Sequence, residues 1–492
     1  HTLTVSNTLS DADGLGVITY QWQADGIDIA GENGVSLVVN AELVSKIITV
    51  KASYTDNFGT QESITGVAGN WVTGSDDNDI LLGSWGNDVI MGLRGNDSID
   101  GMGGSDRLEG GDGADTIYGN FGNDTLLGNS GNDVLKDDQG SNILDGGEGN
   151  DSLSASSLTG NQTMFGGIGN DNLTATGQVL TLSGDEGDDN LSVNGSLGNA
   201  YVQHGTATLS GGDGKDTLNA YFEASVLLQG GEGNDYLDAR YCKNVILEGG
   251  NGNDNLSGYI FNGFAQQMGE TLGATYSFYG DNGDDQLHIN GVDPYYWGIA
   301  TVLLDGGEGN DALALSSDNN GLPFAFATLS GGSGDDTITA SDVLDLSYTG
   351  GTGSDRFVLT AEQYKTLEKG TLQFFIDNNG SNCVPVTAKA IVINDFVAGE
   401  GGDILDINDL IKNASVGYDG NNPFGSGFLK LLQSGEDTLL QFDVDGSAIS
   451  TNTPTTVAVL QNVHLSDLTA TNFYPNYPID GSESGGLVII GS

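Results

Sequence analysis

The sequence predicts an all-β protein whose central part is a right-handed parallel β-coil, with a small β-sandwich before it and a β-rich cap after it. Three observations predict this fold. Nine nine-residue units follow one another without a gap from residue 74 to 154, glycine-rich turns recur at wider spacing as far as residue 350, and the flanking segments alternate polar and apolar residues. A strict period is the signature of stacked repeats, each of which buries its apolar face against its neighbours.

Each unit reads close to G-G-x-G-x-D-x-h-x, where h is apolar, as in GGDGADTIY from Gly110. Positions one, four and six each hold their consensus residue in eight of nine units, and the exceptions are Asp137, Asp77 and Asn142. Side chains alternate along a strand, so position eight points inward while positions seven and nine point outward. Two units then make one flattened turn of the coil around a thin apolar core. Position eight is apolar in all nine units: Leu81, Ile90, Ile99, Leu108, Ile117, Leu126, Leu135, Leu144 and Leu153.

The polar half of the unit suits a calcium ion. Glycines reach backbone angles that other residues reach only with strain, and they let carbonyl oxygens converge. The aspartate adds a hard anionic oxygen, and this ligand set is the one that Ca²⁺ prefers. The tandem motif resembles the RTX family of calcium-binding nonapeptide repeats. The resemblance implies a parallel β-roll in which an ion sits between equivalent turns of successive coils.

The turns continue beyond Ser154 at spacings of 20, 18, 27, 19, 19, 31, 26, 25 and 19 residues, never shorter than one full coil. Apolar residues persist at position eight and two residues before each turn. We therefore predict that the roll runs on from 155 to 357 with one edge changed. Edge A comprises the turns that start at residues 74, 92, 110, 128, 146, 166 and onward to 350. Edge B comprises those at 83, 101, 119 and 137, after which loops of variable length replace it.

The position-six aspartates of both edges are the predicted calcium ligands. One ion between each pair of adjacent turns gives about 15 Ca²⁺, if every pair holds one oxygen-ligated ion. The predicted ligands are Asp79, Asp88, Asp97, Asp106, Asp115, Asp124, Asp133, Asp151, Asp171, Asp189, Asp216, Asp235, Asp254, Asp285, Asp311, Asp336 and Asp355.

Charge predicts that ion binding and folding are one process. The chain carries 68 acidic against 14 basic residues, a net charge of −54, and like charge at this density opposes a compact state. Ions that bind only the folded chain stabilise it, so we expect residues 74–355 to be largely disordered without calcium. The acidity argues against nucleic acid or an anionic membrane as partner. No stretch approaches the roughly 20 apolar residues of a transmembrane helix.

No catalytic motif stands out in the chain. HExxH, GxSxG and the P-loop are all missing, and there are four histidines in total. Paired aspartates such as Asp188 and Asp189 occupy positions five and six of a turn, where ion ligation explains them better than acid–base catalysis. Cys242 and Cys383 match no metal-binding spacing, and such low cysteine usage is consistent with an extracellular protein that relies on calcium instead of disulfides.

The flanks carry two further resemblances. Residues 1–66, with YQWQADG and ITVKASYTDNFGTQES, resemble bacterial immunoglobulin-like repeats, with Trp22 as the core tryptophan and residues 67–73 as a linker. The sequence starts inside this domain with neither Met nor signal peptide, so we expect more such domains upstream. Residues 358–492 resemble the C-terminal region of type I-secreted RTX proteins. That resemblance implies a cap on the roll and an uncleaved export signal, and therefore the type I secretion machinery as a partner.

Aromatic residues concentrate in the loops that replace edge B, including Tyr295, Tyr296 and Trp297. Two readings stay open: the rings extend the thin core, or they form a surface that binds a glycan or a protein neighbour. We predict a secreted, surface-associated, non-enzymatic calcium-binding protein that acts as an adhesin or as a subunit of a surface layer, fibre or matrix, with self-association plausible. The alternative is the secretion and folding module of a longer exoenzyme or toxin.

Overall fold

The computed structural model describes residues 2–5, 16–40, 42–43, 46, 48–56, 59–157, 159–195, 205–222, 224–260, 273–291, 299–317, 324–375, 383–446 and 453–482. Nearly all regular structure in these ranges is β-strand. The chain divides into two compact units, residues 1–195 with 208–213 and residues 196–207 with 214–492.

The first unit begins with a small antiparallel β-structure. β1 pairs with β4, and a four-stranded sheet has the order β3-β2-β5-β6. Trp22 is 1% exposed and packs with Leu37, Ile48 and Val50, and its indole N–H donates to the carbonyl oxygen of Gly34 at 3.0 Å. A buried tryptophan is as the sequence predicts, whereas the immunoglobulin-like assignment stays a prediction. The strands are β1 (Thr2–Thr4), β2 (Thr19–Ala24), β3 (Ile27–Asp28), β4 (Ser36–Val38), β5 (Ile48–Thr55) and β6 (Gln61–Gly69).

The remainder of the first unit is a parallel β-roll whose strands alternate between two sheets. Odd-numbered strands pair with odd and even with even, one coil apart. The strands are β7 (Trp71–Thr73), β8 (Ile80–Ser84), β9 (Val89–Arg94), β10 (Ser98–Met102), β11 (Arg107–Asp112), β12 (Thr116–Tyr118), β13 (Thr125–Ser130), β14 (Val134–Asp137), β15 (Asn142–Glu148), β16 (Ser152–Ser156), β17 (Asn161–Ile168), β18 (Asn172–Thr176), β19 (Val179–Glu186), β20 (Asn190–Asn194) and β21 (Thr206–Asp213).

The roll follows the nonapeptide period. Ile99 pairs with Ile117 and Leu108 with Leu126, each 18 residues apart, and all four side chains are fully buried. Position eight therefore builds the thin core that the alternation predicts. β7 already pairs with β9, so parallel pairing begins inside the segment 67–73 that we expected to be a linker.

The second unit is also a parallel β-roll. From β23 to β34, three residues separate each odd-numbered strand from the even-numbered strand that follows it. The segments that return from an even-numbered strand to the next odd-numbered strand vary in length, as the two-edge interpretation predicts. The strands are β22 (Thr217–Tyr221), β23 (Ser225–Glu232), β24 (Tyr236–Arg240), β25 (Asn244–Asn251), β26 (Asn255–Tyr259), β27 (Gly273–Asn282), β28 (Gln286–Asn290), β29 (Ile299–Glu308), β30 (Ala312–Ser316), β31 (Phe324–Ser333), β32 (Thr337–Ala340), β33 (Val343–Thr352) and β34 (Arg356–Leu359).

The C-terminal segment adds two short helices and further strands. Helix α1 begins after Thr360, whose side chain accepts from the N–H of Gln363, and ends at Gly370. Helix α2 follows Ile407, which makes no side-chain cap hydrogen bond. The elements are α1 (Ala361–Lys369), β35 (Thr371–Phe375), β36 (Cys383–Thr387), β37 (Ile391–Ile393), β38 (Ile404–Asp406), α2 (Asn408–Ala414), β39 (Leu429–Ser434), β40 (Asp437–Phe442), β41 (Thr455–Leu460), 3₁₀ turns at Leu465–Asp467 and Ala470–Asn472, and β42 (Phe473–Tyr474).

Parallel pairing extends past the boundary expected at residue 357. β37 pairs with β33, and β38 pairs with β34 and then β42. The last coil therefore uses strands of residues 358–492, the segment that we expected to cap the roll and to carry the export signal. Within the described residues, no helix has the length and apolar character needed to cross a bilayer.

Candidate metal centre

The turns that carry the aspartates require glycine at two positions. Gly250, at position two, has φ +107°, and Gly252, at position four, has φ +133°, both in the region that L side chains rarely adopt. A Cβ on Gly252 would also overlap the carbonyl oxygen of Gly233 in the preceding coil. Glycine thus lets successive turns stack backbone to backbone.

Position-one glycine leaves room for oxygen atoms. A Cβ on Gly249 would overlap the Oδ2 atom of Asp254 and lie 2.7 Å from the carbonyl oxygen of Gly280 in the next coil. The same arrangement recurs at Gly128, next to Asp133 and the carbonyl oxygen of Gly146. Carboxylate and carbonyl oxygens therefore approach one another at each coil, where a larger residue would displace them.

One carboxylate oxygen of each aspartate links neighbouring coils. The backbone N–H of a position-six aspartate donates to the Oδ1 atom of its equivalent in the next coil, at 2.6 to 3.0 Å. Within the first unit the links along edge A are Asp79–Asp97, Asp97–Asp115, Asp115–Asp133, Asp133–Asp151, Asp151–Asp171 and Asp171–Asp189, and along edge B Asp88–Asp106 and Asp106–Asp124. Within the second unit they are Asp216–Asp235, Asp235–Asp254, Asp254–Asp285, Asp285–Asp311, Asp311–Asp336 and Asp336–Asp355.

The other carboxylate oxygen has no hydrogen-bond donor in most turns. These side chains are at most 3% exposed, and a buried carboxylate oxygen without a donor is costly. Asp189 and Asp216 are buried to the same degree. The aspartates whose Oδ2 atom lacks a donor are Asp97, Asp106, Asp115, Asp124, Asp133, Asp151, Asp171, Asp235, Asp254, Asp285, Asp311, Asp336 and Asp355.

These oxygens fit a hard divalent cation. Calcium takes six to eight oxygen ligands from carboxylates and backbone carbonyls in flexible geometry, which is the donor set assembled beside each position-one glycine. Across the described ranges, no three His, Cys, Asp or Glu side chains form a metal-binding group. The candidate site is therefore made of stacked aspartates with backbone oxygens, and it offers none of the imidazole or thiolate ligands that zinc favours.

Burial raises the pKa of these carboxyl groups. Desolvation is the largest cause at Asp106, where it raises the pKa to about 8, and at Asp133 and Asp285, where it raises the pKa to about 7. Neighbouring aspartates one coil away raise the pKa of all three further. The stack thus requires positive charge or protons before it can be compact.

The first turns of each edge differ from the rest. The Oδ2 atom of Asp79 accepts from the backbone N–H and the hydroxyl of Ser75, at 2.6 and 2.9 Å. The carboxylate of Asp88 likewise accepts from the backbone N–H and hydroxyl of Ser84. A serine at position two therefore supplies donors that later turns lack. Of the 17 aspartates predicted from the sequence, these two have the weakest claim to be ligands.

Two features of the edges were not predicted from the sequence. The position-five asparagine forms a second ladder, since its side-chain oxygen accepts from the position-five N–H of the next coil, as in Asn96 to Asn78 at 2.8 Å and Asn150 to Asn132 at 2.9 Å. The recurring G-N-D triplet was the available signal.

The second missed feature is a further turn at 398–403, which reads A-G-E-G-G-D and leads into β38. Gly399 and Gly401 have positive φ, Asp403 is 1% exposed, and Leu405 at position eight is fully buried and pairs with Phe357. The segment departs from the consensus only at position one, where Ala398 replaces glycine.

The aromatic residues divide between core and surface. Tyr276 and Phe324 are buried, and the Tyr276 hydroxyl donates to the carbonyl oxygen of Cys242 at 2.7 Å, so these two rings extend the core. Phe326 faces outward and is 37% exposed. The residues predicted as a partner surface, Tyr295, Tyr296 and Trp297, lie outside the described residues.

The match to a family profile supports the repeat assignment. The profile of the RTX calcium-binding nonapeptide repeat (four copies) matches residues 64–99, 92–126, 100–135, 127–157, 137–173, 226–240, 243–264 and 328–342. No curated protein matches the chain. Among solved structures, the chain is similar to the AlgE6R3 subunit of the Azotobacter vinelandii mannuronan C5-epimerase, at 21% identity over 43% of this chain and 88% of that one, with a TM-score of 0.16.

Proposed function

We propose that this chain, which carries RTX calcium-binding nonapeptide repeats on a β-roll, is a non-enzymatic extracellular structural protein that folds as it binds calcium. The observation that carries the proposal is the row of buried aspartates whose Oδ2 atoms lack a hydrogen-bond donor. A cation at each coil gives these oxygens the partner that they lack, and it makes the net charge of −54 less negative. About 15 ions offset roughly 30 negative charges on this scheme, counting one oxygen-ligated ion for each pair of turns.

The position-six aspartates are the anionic ligands in this scheme. Their Oδ1 atoms hold adjacent coils together, whereas their Oδ2 atoms and the nearby carbonyl oxygens bind the ion. When bound, calcium supplies charge neutralisation and a cross-link between coils. The protein's own contribution is the register of its turns, which places equivalent oxygens one coil apart along both edges.

Type I export gives calcium-dependent folding a purpose. Extracellular calcium sites typically bind at roughly 10⁻⁴ to 10⁻³ M, so the chain stays unfolded where calcium is scarce and folds after secretion. The folded roll then serves as a stiff acidic scaffold of an adhesin, surface layer, fibre or matrix. Calcium-bridged self-association through its regular edges is the mode of assembly we favour, and a glycan or cell-surface ligand is the other partner class.

A calcium titration of the full chain followed by far-UV circular dichroism tests the folding proposal. We expect little strand signal in excess chelator, a cooperative gain of strand on adding millimolar calcium, and no comparable gain with magnesium, which demands near-ideal octahedral geometry. A strand signal that is the same in chelator and in calcium would rule the proposal out.

Electron microscopy with and without calcium tests assembly, and monomers under both conditions would count against a layer or fibre.

A further inference from the structure

The last turn of edge B has an aspartate where the repeat has glycine. Asp137 occupies position one of its unit and is 2% exposed. Its carboxylate reaches back one coil, because a Cβ on Gly119 would overlap the Oδ2 atom of Asp137 and lie 2.8 Å from the Oδ2 atom of Asp124. Two carboxylates from adjacent coils therefore face the same glycine.

At regular turns a carbonyl oxygen takes that place. The atoms nearest a Cβ on Gly101 include Asp106 Oδ2 at 2.5 Å and the carbonyl oxygen of Gly119 at 3.2 Å. At Gly119 the nearest atom is instead the Oδ2 of Asp137. Thus the end of edge B keeps the position-six carboxylate beside the position-one glycine and brings a second carboxylate next to it.

Neither of these two carboxylate oxygens has a donor. The Oδ2 atoms of Asp124 and Asp137 are both buried without a hydrogen-bond partner, whereas the Oδ1 atom of Asp137 accepts from the N–H of Gln139 at 3.1 Å. Buried carboxylates that face each other repel unless a cation or a shared proton lies between them.

Asn142 is the second residue of this unit that departs from the repeat consensus, and its side chain leaves room for that of Asp137. In regular turns a Cβ at position one would collide with the Oδ2 atom of the position-six aspartate. The Asn142 side chain instead donates to the carbonyl oxygen of Gln139 at 3.3 Å, while its oxygen still accepts from the N–H of Asp124 at 3.0 Å. The ladder bond is kept and the anionic ligand moves from position six to position one.

We propose that Asp124 and Asp137 form a two-carboxylate divalent-cation site that closes edge B and binds calcium more tightly than the other turns. This inference rests on the proposed calcium-binding function of the edges. The charge count of the ligands tunes calcium affinity, and this site places two carboxylates beside one glycine, where a regular turn places one.

Isothermal titration calorimetry of the full chain with calcium tests this site. We expect one ion to bind at least tenfold more tightly than the rest in the native protein. Asp137→Gly, which restores the repeat consensus, and Asp137→Asn, which keeps the side chain's shape, should each abolish that tight class and leave weaker binding at the other turns. The matched control is Asp138→Asn, which removes the same charge from the exposed neighbouring residue and should leave the tight class intact.

Circular dichroism at saturating calcium checks that each variant is folded. A tight class that survives both Asp137 substitutions, or a native protein with a single affinity class, overturns the two-carboxylate site while leaving calcium-dependent folding in place. A native chain that binds no calcium overturns the proposed function as well, so the two failures are distinguishable.

Discussion

The backbone N–H of Asp355 donates to the carboxylate of Asp403 at 2.9 Å, so Asp403 relates to Asp355 as each turn aspartate relates to the one before it. The second oxygen of Asp403 differs, because it accepts from the N–H of Val397 at 2.7 Å. The carboxylate of Asp395 further covers the preceding turn by accepting from the N–H groups of Gly350 and Gly351. Edge A therefore ends on aspartates satisfied by protein donors.

This ending predicts different roles for Asp355 and Asp403. Asp355→Asn should reduce bound calcium by about one ion, because it replaces an Oδ2 atom that lacks a donor. Asp403→Asn should leave the calcium count unchanged and lower the free energy of unfolding by about 1–3 kcal/mol, since one backbone N–H loses its acceptor. Calorimetry and denaturant unfolding measure the two quantities. An equal loss of calcium in both variants would contradict this division.

Two substitutions in one turn separate the effect of losing an ion ligand from the effect of losing a negative charge. Asp235→Asn keeps an oxygen for the N–H of Asp216 but removes the anionic ligand, so we expect the calcium concentration at half-folding to rise about tenfold, equivalent to ~1.4 kcal/mol. Glu232→Gln removes the same charge from an exposed residue whose side-chain oxygen accepts from Asn251. That control should change the midpoint little. Equal shifts in the two variants would mean that net charge alone drives folding.

The roll could be predicted from sequence because its core and its turns obey one period. Leu173 and Met164 are both fully buried, although Met164 stands in a unit that has Ser157 and Gln162 in place of the first glycine and the aspartate, and the spacing of at least 18 residues was enough to place both. The turn at Asp403 escaped because it lies 48 residues after Asp355, with α1 and the β35–β36 hairpin inserted between them. A long insertion hides a period that the backbone still follows.

The candidate site could be predicted only as a set of residues. Consensus spacing identifies every position-six aspartate, but it does not show that Ser75 and Ser84 supply donors to the first carboxylates, or that Asp137 reaches back to Gly119. These details depend on which side-chain atom faces the neighbouring coil. Such contacts occur where a residue differs from the consensus, and the repeat pattern predicts nothing about those residues.

Stacking predicts that position-four glycines tolerate no side chain. Gly252→Ala forces a residue into φ +133° and overlaps the carbonyl oxygen of Gly233, so we expect a loss of at least ~2 kcal/mol from backbone strain alone. Gly66→Ala is the control, because nothing lies within 4 Å of its added Cβ and its φ is not positive. Thermal unfolding in calcium measures both. Similar melting temperatures for the two variants would disprove the need for glycine.

The side chain of Gln363 predicts a specific link between α1 and β33. It accepts from the N–H of Val343 at 3.0 Å and donates to the carbonyl oxygen of Val343 at 2.6 Å, and it is 2% exposed. Gln363→Ala leaves both backbone groups without these partners, which should cost about 1–3 kcal/mol in the free energy of unfolding. Lys365→Ala, on an exposed position of the same helix, should cost under ~1 kcal/mol, as loss of a surface ion pair does. Equal losses in the free energy of unfolding for the two variants would show that the hydrogen bonds of Gln363 do not stabilise the fold.

The raised pKa values predict that calcium inverts the pH dependence of stability. Burial raises the pKa of Asp254 to about 6, Asp133 to about 7 and Asp106 to about 8, above the ordinary value of 3.8. Without calcium, the folded chain thus binds protons more tightly than the unfolded chain. The stability from these groups is fully present below about pH 4 and is lost as the pH rises from 6 to 8.

Calcium reverses this order, because its carboxylate ligands must be ionised. We therefore expect the chelated protein to show more strand signal and a higher melting temperature at pH 4 than at pH 8, and the calcium-loaded protein to be more stable at pH 8 than at pH 5. Circular dichroism melts at these pH values, with chelator or with calcium, measure both arms. A chelated chain that is more stable at pH 8 than at pH 4 would show that the buried aspartates do not dominate its folding.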